Sequence, residues 1–278
     1  MKSLIKSIFT LSIVLLFISC NETHEHQKDE APQRQAIEMV TNHGTITLEL
    51  YNETPLHRDN FINLVNNRAY DSLLFHRVIK NFMIQAGDPD SKNSKKTDTI
   101  GEGDAPYVVK AEIRDNLFHK KGVLAAARED DPLKQSSAMQ FYITQGKVFN
   151  DSLLDTTEKR INGSLARDYF RNKKTQNVLL DSLENALYNR NRERYGQLRD
   201  SLLKLAESNP AFKTYSIPQA HRDVYKTIGG TPHLDQGYTV FGEVTDGLHI
   251  VDSIANVNTN SMDRPLENVM ILSARLKD

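Results

Sequence analysis

Residues 75–88 read FHRVIKNFMIQAGD, and the interpretation of the whole chain starts from this stretch. Two short runs, Phe75–Ile79 and Phe82–Ala86, combine apolar residues with a few polar ones, a composition typical of β-strands with a buried face. Arg77 and Gln85 lie within these runs, eight residues apart. The stretch therefore joins a strand pattern to a guanidinium, which is always charged, and to a neutral amide.

Two further stretches extend the pattern downstream. Residues 136–144 read SSAMQFYIT, and residues 234–244 read LDQGYTVFGEV. Together with residues 75–88, and in this order, they resemble the signature segments of the cyclophilin family of peptidyl-prolyl cis–trans isomerases. The resemblance covers residues 37–146 and 229–276 and implies an enzyme that rotates X–Pro bonds.

Rotation about an X–Pro bond neither makes nor breaks a covalent bond. Its barrier, about 18–20 kcal/mol, exists because amide resonance is lost as the bond twists. A catalyst must therefore bind the twisted amide more tightly than either planar form. A fixed guanidinium can stabilise the changed dipole of that amide. Acceleration by about 10⁵ requires about 7 kcal/mol of differential stabilisation, so the arginine must work in a largely dry pocket.

Arg77 is the candidate for this role, and the resemblance implies that Gln85 orients it and hydrogen-bonds the substrate backbone. The resemblance also implies a proline pocket of Phe82, Met83, Tyr142 and Leu234, a groove along Ala127 and Gln140 for the residues before proline, and a donor at Tyr238. Because isomerisation transfers no proton, we interpret His76 as a buried structural histidine.

Three positions depart from the family pattern. Tyr238 stands where members often carry His, and its hydroxyl is expected to donate in place of that ring. Arg128 stands where many members carry Asn, and we expect this change to be tolerated because the contact there is made by the backbone. His233 stands where many eukaryotic members carry Trp, so we expect cyclosporin-type inhibitors to bind weakly.

The rest of the chain predicts many short strands and few helices. Two alternating runs surround Asn42-His43-Gly44 and indicate a β-hairpin, and Thr54-Pro55 provides an N-cap and a first-turn proline for a helix over residues 55–66. Further strands are predicted at Gly122–Ala127, Met139–Thr144, Tyr238–Val244 and Val269–Leu276. We therefore expect a mainly β fold, a closed antiparallel cyclophilin-like β-barrel with capping helices.

Residues 151–226, here called the insertion, interrupt this rhythm within a domain predicted over residues 36–278. An apolar stripe predicts one amphipathic helix that ends before Asn209-Pro210. The stripe consists of Leu179, Leu183, Leu187, Tyr195, Leu198, Leu202 and Leu205. The insertion holds 14 Lys+Arg and 10 Asp+Glu, a net charge of +4, so the remaining residues carry −5 of the total of −1.

The N-terminus has the pattern of an export signal. Lys2 and Lys6 precede an apolar run over residues 8–18, which is too short for a transmembrane helix, and Cys20 follows. Residues 16–20 resemble a loose bacterial lipobox, which implies a signal peptide over 1–19 and a lipid on Cys20. Residues 20–35 are predicted to be a flexible tether. We expect a lipid-anchored protein of the cell envelope, facing the periplasm or the exterior.

Composition excludes several classes of protein. Cys20 is the only cysteine, so no internal disulfide or all-cysteine metal site can form. The charges are balanced and no P-loop, Gly-x-Ser-x-Gly or HExxH pattern occurs. We therefore expect no cofactor, no metal and no nucleic acid. The expected partners are proline-containing polypeptides and a membrane, and the expected state is a monomer.

Two other functions stay open from the sequence. The first is a chaperone or assembly factor that holds proline-containing peptides with little turnover. The second gives the function to the insertion, with the barrel as a scaffold and the leucine stripe docking a partner. The alternative for the stripe is that it packs within the insertion or against the barrel.

Overall fold

The computed structural model describes residues 33–277, so the predicted signal peptide, Cys20 and most of the tether lie outside the described residues. Within this range no helix is long and apolar enough to cross a membrane.

Antiparallel β-structure dominates the chain on both sides of the insertion. The strands are β1 (Ala36–Thr41), β2 (Gly44–Leu50), β3 (Arg77–Ile79), β4 (Met83–Ala86), β5 (Val108–Val109), β6 (Val123–Ala126), β7 (Ser136–Ser137), β8 (Phe141–Thr144), β9 (Val240–Asp246) and β10 (Ile271–Lys277). Eight of them form one sheet in the order β10-β1-β2-β9-β6-β8-β4-β3, and β5 pairs with β7. The predicted hairpin and all six further predicted strands are confirmed, with bounds that differ by one or two residues, whereas strands β5 and β7 were not predicted.

The predicted closure of the barrel is wrong. Strands β3 and β10 are the two edges of the sheet, and within residues 33–277 only an isolated bridge between Leu74 and Met270 and a few single hydrogen bonds link them. Strand β3 has three residues and is followed by a turn at Asn81, whose φ is 61°, so it is too short to form a ladder with β10. The sheet is therefore an open half-barrel.

The two faces of the sheet have different neighbours, because side chains alternate along each strand. The inner face packs against helices α1 (Pro55–Asn66) and α6 (Leu248–Ala255) and forms the main core. On strands β3, β4, β6 and β8, the side chains that face this core include Val78, Ile84, Leu124 and Ile143. The opposite face, here called the outer face, carries a second cluster that includes Met83, Val123, Ala125, Tyr142 and Val240.

Helix α1 confirms the predicted bounds, but its N-terminus is not capped by the threonine side chain. The Thr54 hydroxyl donates to the Tyr51 carbonyl and makes no bond to a helix N–H. Instead the buried Glu112 carboxylate accepts from the backbone N–H of Leu56 (3.2 Å) and His57 (3.0 Å). A carboxylate is the stronger cap, since its charge also interacts with the helix dipole.

The insertion folds as helices α2 (Asp151–Lys173), α3 (Asn177–Tyr188), α4 (Arg192–Glu207) and α5 (Gln219–Thr227). The prediction of a single striped helix is wrong, because the chain turns between α3 and α4 at Arg190, whose φ is 55°. Leu183, Leu198 and Leu202 are buried in a cluster that α2, α3 and α4 share. Most of the stripe therefore packs within the insertion, which removes those leucines as a docking surface.

Candidate active site

Strand pairing aligns a row of side chains across the outer face. Arg77 of β3 lies opposite Gln85 of β4, Gln85 lies opposite Tyr142 of β8, and Tyr142 lies opposite Ala125 of β6. Directly opposed residues of antiparallel strands project from the same face of a sheet. Met83, two residues before Gln85, shares that face. The register alone therefore brings a guanidinium, an amide, a phenol ring and a thioether together.

A pocket of about 120 Å³, here called the central pocket, opens beside this row. Its lining consists of Arg77, Phe82, Met83, Gln85, Ala127, Arg128, Tyr142, Leu234 and Tyr238. Gln140, the ninth predicted site residue, lines an adjoining pocket of about 240 Å³ that shares Gln85, Ala127 and Arg128 with the first. We call it the Gln140 pocket. All nine predicted substrate and catalytic residues thus lie in two joined pockets.

A chain of amides orients the guanidinium. Gln140 Nε2 donates to the carbonyls of Gly101 (2.9 Å) and Gly103 (2.8 Å), so its oxygen faces Gln85. Gln85 Nε2 donates to that oxygen at 2.9 Å, which turns Gln85 Oε1 toward Arg77 Nη1 at 3.4 Å. The amide-bearing side chains therefore fix each other's orientation from a loop backbone outward.

Asp263 is a contact of Arg77 that sequence reasoning missed. Its Oδ2 lies 3.6 Å from Arg77 Nε, and its carbonyl accepts from the Val78 N–H at 2.8 Å. Asp263 lies far from Arg77 in the sequence and in none of the signature segments, so no local sequence pattern indicates this contact. The backbone bond holds the Asp263 loop beside β3.

The expectation of a dry pocket needs a correction. The side chain of Arg77 is 44% exposed, whereas Met83 and Tyr142 on the pocket floor are buried. Without a bound polypeptide, the pocket has an apolar floor and a rim that is partly open to solvent. The guanidinium becomes desolvated only when a polypeptide covers it.

A buried hydrogen-bond chain supports the pocket floor from below. Tyr225 of α5 donates to Asp235 Oδ2 at 2.7 Å, and His119 Nδ1 lies 2.8 Å from Asp235 Oδ1. Since a carboxylate only accepts, Nδ1 carries the proton and Nε2 is left as an acceptor. The Tyr142 hydroxyl lies 2.9 Å from Nε2 and donates to it. The insertion is thereby connected to the pocket floor through four buried side chains.

Two histidines near the site are held neutral by burial. Burial lowers the pKa of His76 to about 4, and its ring nitrogens have no hydrogen-bond partner within residues 33–277. His76 lines neither pocket, in agreement with a structural role. Burial, followed by the positive charge of Arg160, lowers the pKa of His233 to about 4, and its ring lies 5.3 Å from that of Phe82.

The side chain of Arg128 makes contacts that the sequence did not indicate. Its Nε donates to the Gly237 carbonyl at 2.7 Å, and its guanidinium lies 4.8 Å from the centroid of the Tyr238 ring. These contacts hold the Arg128 side chain in the lining that the central pocket shares with the Gln140 pocket. Within residues 33–277 no cluster of His, Cys, Asp and Glu suited to a metal ion occurs.

Comparison with known proteins agrees with this geometry. Residues 36–164 and 218–276 match the family model of cyclophilin type peptidyl-prolyl cis-trans isomerase/CLD. The chain belongs to the cyclophilin-type isomerases. Isomerisation of peptidyl-prolyl bonds is the activity that this membership carries, and the unmatched residues 165–217 lie within the insertion.

Relatives of this cyclophilin include proteins of two bacteria. A protein of Staphylococcus aureus (strain USA300) named for peptidyl-prolyl cis–trans isomerase activity is 29% identical over 241 residues, 86% of this chain and 90% of that protein. A protein of Streptococcus pyogenes serotype M6 named as a bifunctional phosphatase and isomerase is 27% identical over 245 residues, 87% of this chain and 38% of that protein.

A solved structure shares the fold of this cyclophilin. It is a cyclophilin type isomerase of Cryptosporidium parvum, with a TM-score of 0.51 and 17% identity. The match covers 88% of this chain and 98% of that one.

Replacing Tyr142 by Phe tests the buried chain. The change keeps the ring on the pocket floor but leaves His119 Nε2 buried without a donor, which costs about 1–3 kcal/mol. We expect the free energy of unfolding, measured by urea denaturation, to fall by that amount. The matched control is Tyr188→Phe, whose side chain is 87% exposed and whose loss of a hydroxyl should leave stability unchanged. Equal stability of the two variants would contradict the supporting role of the chain.

Proposed function

We propose that the central pocket receives the proline ring of a polypeptide and that Arg77 stabilises the twisted X–Pro amide. The observation that supports this most strongly is the row of Arg77, Gln85 and Tyr142 beside a pocket of about 120 Å³ whose floor, at Met83 and Tyr142, is buried. A pocket of that size has room for a five-membered ring.

In this proposal Arg77 acts as an electrostatic catalyst. Its contact to Asp263 is long, at 3.6 Å, and a guanidinium has five N–H donors, so donors are left for the carbonyl and nitrogen of the twisting amide. Gln85 holds the guanidinium and offers its own amide to the substrate backbone. Tyr238 borders the same pocket, and its hydroxyl is available as a further donor. Covering by the substrate removes water and strengthens these interactions.

The residues before proline would lie along Ala127 and Gln140, in the Gln140 pocket. This direction is supported by the continuity of that pocket with the central pocket through Gln85 and Ala127. The residues that line the central pocket all come from one chain, so we expect the active form to be a monomer. Sedimentation of the mature protein measures its oligomeric state. The expected substrates are unfolded or extended segments of exported proteins.

Exchange spectroscopy by NMR on a proline peptide tests the proposed role of Arg77. We expect the wild type to accelerate cis–trans exchange, and Arg77→Ala to lower kcat/KM by about 10²–10³-fold, the range typical of removing one transition-state donor. Arg77→Lys should fall between them, because it keeps the charge but loses the planar fork. The matched control is Arg194→Ala, on the exposed surface of α4.

The outcomes separate the competing functions. Undiminished turnover by Arg77→Ala would contradict the role of the guanidinium. Wild-type protein that binds the peptide without accelerating exchange would instead support the chaperone or assembly factor with little turnover.

We also propose that the isomerase acts in the cell envelope, anchored by a lipid on Cys20. The support is the order of Lys2 and Lys6, an apolar run and Ser19-Cys20 in the sequence. We expect the mature wild type to begin at a lipid-modified Cys20, seen by mass spectrometry, and to sediment with membranes. Cys20→Ser should abolish both. Membrane association that survives this change would contradict the lipid anchor.

A further inference from the structure

A third pocket borders the active site on the side of the insertion. It has a volume of about 370 Å³ and lies between α2 and residues 233–238, and we call it the α2 pocket. It shares Arg128, Leu234 and Tyr238 with the central pocket. A polypeptide seated in the central pocket can therefore continue into it.

Helix α2 forms a fixed wall of this pocket. Arg160, Ser164, Arg167 and Asp168 all line it, and their spacing of four, three and one residues puts them on one face of the helix. Ile161, beside them, is buried in a cluster with Tyr225 of α5. The wall is thus anchored to the rest of the insertion and does not depend on a mobile loop.

The two outer pockets join the central pocket at different residues. The Gln140 pocket joins it at Gln85 and Ala127, whereas the α2 pocket joins it at Leu234 and Tyr238; Arg128 borders all three. If the residues before proline occupy the Gln140 pocket, the residues after proline run toward α2. The inference below rests on the proposed function in this respect.

Acids and bases both line the α2 pocket, and two of the four acids are paired with bases. The charged residues are Arg128, Lys134, Arg160 and Arg167, and Glu129, Asp130, Asp168 and Asp235. Asp235 belongs to the buried chain with His119 and Tyr225. Asp168 lies 3.6 Å from Lys134, and Asp130 lies 2.9 Å from Arg167 and 3.2 Å from Arg171.

Two guanidiniums in this lining have no ion-pair partner within residues 33–277. Arg128 donates to the carbonyls of Gly237, Glu129 and Asp131, which fix its position without neutralising it. The exposed Arg160 side chain makes no ion pair or hydrogen bond within the described part of the chain, residues 33–277.

Glu129, on the rim shared with the Gln140 pocket, and Asp235 also keep their charges. Asp235 is buried and its two oxygens already accept hydrogen bonds from His119 and Tyr225, so the exposed guanidinium of Arg160 is the charged group of this helix face that is open to a substrate.

We propose that the α2 pocket is a subsite for an acidic side chain, Asp or Glu, in the residues that follow proline in the substrate, with Arg160 as its specificity determinant. Arg128 contributes a second, fixed positive charge at the entrance. Ion pairs at exposed sites are worth little, so the expected preference is modest, about two- to fivefold in kcat/KM.

Matched peptides test this preference. Peptides with one proline and either Glu or Gln at the first, second or third position after it are compared by NMR exchange spectroscopy. We expect Glu to exceed Gln in kcat/KM at one of these positions, and the ratio to approach one at high salt, where exposed charges are screened. The same substitution before proline should have little effect.

Arg160→Glu should reverse the ratio and favour Lys over Glu at the same position. The control is Lys159→Glu, which makes the same charge change on the neighbouring exposed residue outside the pocket lining and should keep the wild-type ratio. Because each ratio comes from one preparation, a lower fraction of folded protein does not affect it. Arg160→Gln, expected to bring the ratio to one, provides a milder second variant.

A Glu-to-Gln ratio of one in the wild type at all three positions would overturn the subsite, as would equal effects of Arg160→Glu and Lys159→Glu. If the proposed function is wrong, the wild type will accelerate cis–trans exchange in neither peptide, and the subsite proposal fails as well.

Discussion

The register of the β3-β4-β8-β6 ladder is the constraint on which the rest of the site depends. A slip of one residue would turn Arg77, Gln85 and Tyr142 inward and move Val78, Ile84 and Ile143 to the outer face. Burial of each such aliphatic side chain is worth about 1.5–3 kcal/mol, so exposing three would cost about 5–9 kcal/mol, comparable to the whole stability of a domain. Gly87 marks the end of this register, since its φ is +103° and a Cβ there would lie 2.2 Å from the Met139 carbonyl oxygen. The core thus enforces the alignment that the chemistry requires.

The insertion contributes to the site through two separate elements. Helix α5 provides Tyr225, which completes the buried chain to the pocket floor, and α2 provides the wall that carries Arg160. The rest of the insertion, in α3 and α4, buries its leucines against its own helices. In our proposals the half-barrel supplies the residues for isomerisation, while the insertion supports the pocket floor and selects the sequence that follows proline.

Local patterns were sufficient to predict the hairpin, helix α1, the six further strands and the nine pocket residues, because alternation and signature segments are read over about ten neighbouring positions. Long-range contacts were not accessible in this way. His119 and Asp235 meet across 116 residues, and Asp263 reaches Arg77 from a distant loop. The open edge of the sheet and the turn at Arg190 likewise depend on tertiary packing. The contacts that hold Arg128 were not predicted either, because its partners are backbone carbonyls that no sequence motif marks.

The central claim is that the outer-face row and its pocket grip the prolyl bond itself. Intermolecular NOEs between the isomerase and a proline peptide labelled with ¹³C in the proline ring test this most directly. We predict contacts from the ring protons to the Met83 methyl group and to the rings of Phe82 and Tyr142, all of which line the central pocket. Proline-ring contacts confined to the exposed surface of α3 and α4, with none to these three side chains, would contradict it.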